Sequence, residues 1–360
     1  MAAELDLDDQ FRNRVQQGFA TVEGWENEDL LRQCREELVP KEFYGHAKNE
    51  REAVTILAKH FQTNVMTWVN CPPCDRCGTV EHVDDQNTKV ERKPVDENDE
   101  QCRVEIVWCK QCETTSEFPR YNSVRRLLQS RRGRCGEYAN LFGCLCRAVG
   151  LETRYVLDFT DHVWTEVNLS GEWVHVDSCE GVVDENSMYE AGWGKKLSYV
   201  LAFTTQHVTD VTPLYTCRWT DADFQARRRA VTSSEETGSA ILKQINQQIA
   251  NRLPAKERVL VDQRAIIEQR FLAGRMMEQA WDHVYKQSRI SGSYTWKVSR
   301  NEAGNAKNND ESLSTSTTVK FHIEPFYPAR PDLEVRLRSN RREILVNGAS
   351  CAIGLASSVS

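Results

Sequence analysis

Two Cys-x-x-Cys pairs, Cys74-Asp75-Arg76-Cys77 and Cys109-Lys110-Gln111-Cys112, constrain this chain more than any other feature. Four thiols in two such turns converge through disulfides or through a metal, and the choice turns on the compartment. Residues 1–10 are acidic and lack the basic start and apolar stretch of a secretory leader. The 13 cysteines are an odd number, so a complete disulfide framework would leave one over. A chain of 360 residues can also bury a sizeable core without a disulfide scaffold. The expectation is one structural Zn²⁺ held by Cys74, Cys77, Cys109 and Cys112, with all four positions filled by protein. Cys71 and Cys102 are extra thiols. A competing Cys71-Pro-Pro-Cys74 turn would lack the N–H groups that support a thiolate.

With 40 % hydrophobic and 28 % charged residues, the chain reads as a globular catalytic-size core with extensions. The net charge of −7 gives no support to nucleic-acid binding, and no apolar run reaches the ~20 residues of a bilayer span. Residues 1–28 are polar and are expected to be disordered. Residues 29–68 show helical spacing, interrupted at Pro40. The metal-binding subdomain covers about 71–115, with a strand at 103–108 and a flexible acidic insertion at 81–100. Residues 231–290 are expected to form a helical extension, 303–318 a linker, and 319–348 β structure within a short β-rich region, 291–360.

The densest pattern lies in the core, 29–230. Cys135 sits in Gly133-Arg134-Cys135-Gly136-Glu137, directly before a helical stretch, 135–149, that stops at Gly150. A thiol at a helix start faces unpaired N–H groups and the positive dipole end, which favour thiolate. Arg134 and Arg132 add positive charge. Three strands are expected at 153–159, 162–168 and 172–178. On the second, His162, Trp164 and Glu166 share one face; on the third, Trp173, His175 and Asp177 do. A two-residue turn at Leu169-Ser170 would set His162 directly across from Asp177. A turn at Ser170-Gly171 would make them diagonal neighbours, and a three-residue loop would break the register. Cys135, His162 and Asp177 thus form a candidate nucleophilic triad, with His175 as a weaker competitor.

Several stretches carry a resemblance. Gly133-Arg134-Cys135-Gly136-Glu137-Tyr138-Ala139-Asn140, Arg154-Tyr155-Val156, Asp161-His162-Val163-Trp164-Thr165-Glu166-Val167 and Gly192-Trp193-Gly194-Lys195-Lys196-Leu197-Ser198-Tyr199 are similar to the core of the cytosolic peptide:N-glycanases, within the transglutaminase-like superfamily. The match runs over about 43–229. It implies an α+β, papain-like fold with a zinc subdomain, and it matches Cys135, His162 and Asp177 to the family's triad. Arg154, Trp164, Glu166 and Trp173 match residues lining its cleft. It also favours Cys74 and Cys77 as the first metal pair.

The implied activity is that of an amidase: hydrolysis of the β-aspartylglucosamine amide of misfolded N-glycoproteins, which releases the glycan and leaves Asp. The rival readings are another transglutaminase-like acyl transferase or cysteine protease, or a non-enzymatic binding protein on the same fold. Arg289-Ile290-Ser291-Gly292-Ser293-Tyr294-Thr295-Trp296-Lys297-Val298-Ser299-Arg300 resembles the start of a glycan-binding C-terminal module. The resemblance further implies quality control in the cytoplasm, with the nucleus as a further location, and denatured N-glycoproteins as partners. An excision-repair ubiquitin receptor or proteasome-linked factors are further expected partners, and nucleic acid is not.

Overall fold

The computed structural model describes residues 6–40, 47, 49–95 and 101–302 apart from 279, 282, 286 and 301, and four short strands beyond them. The 303–318 segment expected as a linker lies outside the described residues. The fold is α+β. Its centre is helix α5 (Cys135–Ala148), packed on one face of a six-stranded sheet. The strands are β6 (Thr153–Asp158), β7 (His162–Leu169), β8 (Glu172–Asp177), β9 (Val182–Val183), β10 (Val200–Phe203) and β11 (Val208–Asp210). They run in the order β11-β10-β6-β7-β8-β9, antiparallel throughout.

Period-two alternation explains the two cores. Tyr155, Leu157, Val167, Val174 and Val176 point to the helices, where α5 presents Leu141, Phe142 and Leu145. Val156 and Trp164 point the other way, into an aromatic core with Tyr189, Trp193 and Tyr215. The β7–β8 connection is Ser170-Gly171, with φ of 55° and 93°. Two consecutive positive φ values make the tight hairpin turn whose twist matches the strands. Of the three alternatives the sequence allows, this one places Leu169 opposite Glu172 and makes His162 and Asp177 diagonal neighbours.

The N-terminal segment differs from expectation. Helix α1 (Leu7–Glu23) buries Phe11, Val15, Gly18 and Val22, and α2 (Glu28–Leu38) buries Leu30, Cys34 and Leu38. Between them the Trp25 indole lies against Gly143 of α5, so closely that a Cβ there would fall 2.2 Å from the ring. Its Nε1–H donates to Asn140 Oδ1 at 2.9 Å. Helix α3 (Glu50–His60) completes this layer through Val54, Leu57 and Ala58.

Strands β2 (Val83–Lys93), β3 (Cys102–Cys109) and β4 (Thr114–Arg120) form a separate antiparallel sheet. The expected flexible insertion is therefore, over 83–93, a strand. It is polar because it is the sheet edge, and its pairing with β3 shifts register between Asp84 and Lys89. Helix α6 (Ala222–Arg229) falls at the end of the 29–230 stretch, and α7 (Glu235–Ala250) and α8 (Ala255–Arg275) fall in the stretch expected to be helical, 231–290. Strands at Lys320–Ile323, Val335–Ser339, Arg342–Val346 and Ile353–Ala356 fall in the region expected to be β-rich. Within that region, however, Tyr294–Ser299 is a short helix, α9, begun by the Ser293 side chain accepting from Trp296 N–H.

Candidate active site

Cys135 is the first residue of α5, and its backbone N–H belongs to the first turn, which has no intrahelical acceptor. His162 opens β7 directly after Asp161, which takes a left-handed φ of 69° to close the three-residue link from β6. Asp is among the few non-glycine residues that tolerate that conformation. His162 Nε2 lies 2.8 Å from Asp177 Oδ2, and both side chains are fully buried. The other ring nitrogen, Nδ1, is buried with no oxygen or nitrogen partner among the described residues. It is therefore the nitrogen left for the thiol.

Asp177 is held as an anion by four donors. Besides His162 it accepts from the Tyr189 hydroxyl at 3.0 Å, and from the backbone N–H groups of Cys179 and Glu180 at 2.8 and 3.3 Å. Burial pushes its pKa up, but the neighbouring His162 charge and hydrogen bond outweigh that and hold it well below the carboxylate range. For His162, burial favours the neutral ring, and the Asp177 charge overrides it to raise the pKa. For Cys135, burial raises the thiol, while the His162 hydrogen bond and charge, followed by the Arg289 charge, bring the net shift downward. Thiolate and imidazolium therefore stabilise each other, and they titrate as a pair.

His175 does not compete. Its Nδ1 accepts from Glu185 N–H at 3.2 Å, and its Nε2 lies 2.7 Å from the Tyr189 hydroxyl. Burial lowers its pKa to about 4, so it is a neutral donor. The resulting chain runs from His175 through Tyr189 to Asp177 and on to His162.

The charges expected from Arg134 turn away from the thiol. Arg134 donates to both Glu105 carboxylate oxygens at 2.8 Å, and its Nε donates to Val69 O at 2.9 Å. Arg120 bridges Glu105 and Glu137, at 3.0 and 2.6 Å. The Glu137 carboxylate also accepts the Arg134 N–H at 2.8 Å, closing the start of α5. Glu105 is on β3, so this buried network fastens the helix that begins at Cys135 to the cysteine-bearing sheet.

The residues expected to line the cleft divide. Arg154 is buried and pairs with Glu166, and with Glu268 of α8 at 2.6 Å. Trp164 has no exposed surface: Tyr189 stacks on it at 4.2 Å and its Nε1–H donates to Tyr215 at 2.9 Å. A sugar has no access to that ring as it is packed here, because its neighbours already cover it. Instead it lies 5.7 Å from the His162 ring, between centroids, and supports it. Trp173 alone keeps partial exposure, over Arg154 at 4.3 Å.

Sequence reasoning missed Tyr189, Trp193, Glu180 and Arg289 as site residues. Trp193 lies in the quoted Gly192–Tyr199 motif, which pointed to this region without assigning roles. Its ring packs 5.1 Å from that of His162.

The cysteine cluster assembles as expected. The Sγ atoms of Cys74, Cys77, Cys109 and Cys112 all lie within 4.8 Å of one another, and Cys77 and Cys109 are 3.8 Å apart. Four sulfurs at ~2.3 Å from a tetrahedral ion would be separated by about 3.8 Å, so the group fits a metal. The Arg76 N–H donates to Cys74 Sγ at 3.4 Å, a contact that supports thiolate. Cys71 and Cys102 stay outside the cluster.

The family model of the transglutaminase-like superfamily matches residues 86–178, which include Cys135, His162 and Asp177, and gives this helix-start cysteine and His–Asp hairpin their class. Relatives narrow this further. A peptide-N(4)-(N-acetyl-beta-glucosaminyl)asparagine amidase of Yarrowia lipolytica is 38 % identical over 253 residues, covering 69 % of this chain and 68 % of its own. The same-named protein of Gallus gallus is 36 % identical over 83 % of this chain and 46 % of its own, and that of Oryza sativa is 50 % identical over 40 % and 32 %. The chain belongs to the peptide-N(4)-(N-acetyl-beta-glucosaminyl)asparagine amidase family. It spans less than half the length of the Gallus gallus relative. A solved chain from the Rad4/XPC nucleotide excision repair complex is similar at 13 % identity and a TM-score of 0.46, over 96 % of this chain and 73 % of that one.

Proposed function

We propose that this chain is a peptide:N-glycanase that hydrolyses the amide joining an asparagine side chain to its glycan. The observation that carries the reading is the buried His162–Asp177 pair, at 2.8 Å, beside a lowered-pKa cysteine at a helix start, in a member of this amidase family. The Cys135 thiolate adds to the side-chain carbonyl carbon, and the oxyanion forms beside the first turn of α5. His162 Nδ1–H protonates the departing glycosylamine nitrogen as the C–N bond breaks. The acyl group remains on sulfur as a thioester. His162 then takes a proton from water, which adds to the thioester and releases aspartate and the thiol. Tyr189 and Asp177 keep the ring oriented throughout.

The four-cysteine cluster is assigned to one structural Zn²⁺ per chain. Four thiolates would close the coordination sphere, which leaves the ion no open position for chemistry. Its effect would reach the site through Glu105 and Arg134. The substrates are proposed to be denatured N-glycoproteins of the cytoplasm, with an excision-repair ubiquitin receptor or proteasome-linked factors as partners. No helix among the described residues is long and apolar enough to cross a membrane. The test of the activity is Cys135→Ala, which is expected to abolish glycan release from a denatured glycopeptide while the fold survives. Turnover at the wild-type rate in that variant would remove the nucleophile.

A further inference from the structure

Beyond the triad, a buried cation from outside the core segment reaches this site. Arg289 is 1 % exposed. Its guanidinium lies against three indoles, with centroid distances of 5.1 Å to Trp68, 4.8 Å to Trp193 and 4.6 Å to Trp296. Trp193 is the ring that packs on His162. Glu302 pairs with the guanidinium, and Glu180 lies 3.8 Å away, while Nη2 is buried without a hydrogen-bond partner. A charge so enclosed is costly, and burial among neutral rings also lets its field act with little screening.

The segment that carries it is fastened at Glu180, Asn70, Asp161 and Lys195. Ile290 and Ser291 donate their N–H groups to the Glu180 carboxylate at 2.6 and 3.1 Å, three residues beyond Asp177. The Ser293 N–H donates to Asn70 Oδ1 at 2.8 Å, beside the first cysteine knuckle. Arg300 pairs with Asp161, the residue before His162. Glu302 also accepts from Lys195 at 3.0 Å, and Lys195 in turn reaches Asp158.

We propose that Arg289 is a positioning residue of the amidase site, whose buried charge favours the thiolate of Cys135, with Arg300 supporting it by neutralising Asp161. This rests on the amidase reading above. The contributions to the thiol differ in sign and the net is downward: burial and Asp161 oppose ionisation, while His162 and then Arg289 favour the thiolate. Arg120 and Arg300 also couple favourably to the thiolate, whereas Cys179 couples to it as a like charge. Facing Arg289 itself are Glu302, Cys135, Cys179 and Glu180. The sequence stretch that resembles the start of a glycan-binding module thus supplies part of the catalytic environment.

The test follows the alkylation of Cys135 by iodoacetamide, peptide by peptide, as a function of pH in the full chain. Arg289→Gln is expected to move the midpoint upward by about one pH unit, the low end for losing one nearby charge, and Arg289→Lys to leave it within a few tenths. Removing a cation also raises the His162 pKa, so both limbs of the glycan-release profile move up together in Arg289→Gln. A midpoint unchanged in a folded Arg289→Gln protein overturns the proposal, as does an equal shift in Arg289→Lys. Should Arg289→Gln fail to fold, Glu302→Gln decides: removal of the paired carboxylate lowers the midpoint, and no movement overturns the proposal. Alkylation needs no substrate, so a midpoint shift in a protein that releases no glycan would sink the amidase reading and leave the Arg289 assignment standing.

Discussion

At the scale of single residues, the site is a competition between burial and charge, and charge decides it. Burial alone would leave Cys135 a thiol and His162 neutral; their mutual stabilisation and the Asp177 anion reverse both. The pH dependence follows in sign. The proposed activity should be lost as pH falls through the lowered Cys135 pKa, and again as pH rises through the raised His162 pKa. Glycan release measured across pH should therefore hold a plateau through neutrality, and Cys135 should alkylate below the ordinary thiol range while Cys144 and Cys146 do not. A midpoint for Cys135 at the ordinary thiol value would contradict the ion pair. The placement of Cys135, His162 and Asp177 was legible in sequence because helix starts and strand alternation are local patterns. Tyr189 and Arg289 were not, because each enters from a distant loop with no periodicity to mark it. Alternation placed Trp164 and Glu166 on one face with His162, and the resemblance added Arg154, but neither could show that Tyr189, Tyr215 and Glu268 cover these side chains.

At the scale of elements, two attachments hold α5 in place, and only one of them was visible in advance. The cysteine pairs announced the small sheet, although its edge strand β2 looked like disorder because both of its faces are polar. Cys109→Ser should lower metal content from about one per chain and lower the melting temperature with it. Glycan release should fall too, because Glu105 on β3 clamps Arg134. Full activity in metal-free protein would contradict this. The other attachment is the N-terminal layer. Its helix spaces Phe11, Val15, Gly18 and Val22 among charged residues, so the apolar face is sparse, and Gly18 reads as a breaker although it makes room for Phe203. Trp25→Ala empties the contact with Gly143 and orphans Asn140 Oδ1. It should cost about 3–5 kcal/mol in denaturant unfolding, and a loss below about 1 kcal/mol would show that this layer adds little.

At the scale of the whole molecule, Cys135 sits between a helical layer, the cysteine-bearing sheet and the segment that carries Arg289 and Arg300. A scissile amide on a side chain must reach it with a glycan on one side and a polypeptide on the other. The proposed activity predicts that an extended chain enters such an enclosure and that a folded surface holds its amide too far away. A disulfide-bonded N-glycoprotein should therefore lose its glycan much faster after reduction and heating than in native form. The most direct test of the central claim uses that unfolded glycoprotein in ¹⁸O-labelled water, with mass analysis of the formerly glycosylated peptide. Hydrolysis through a Cys135 thioester predicts an intact peptide backbone, aspartate in place of asparagine with one solvent oxygen in its side chain, and no product from Cys135→Ala. An unchanged glycopeptide, a cut backbone or a cross-linked amine would each contradict it.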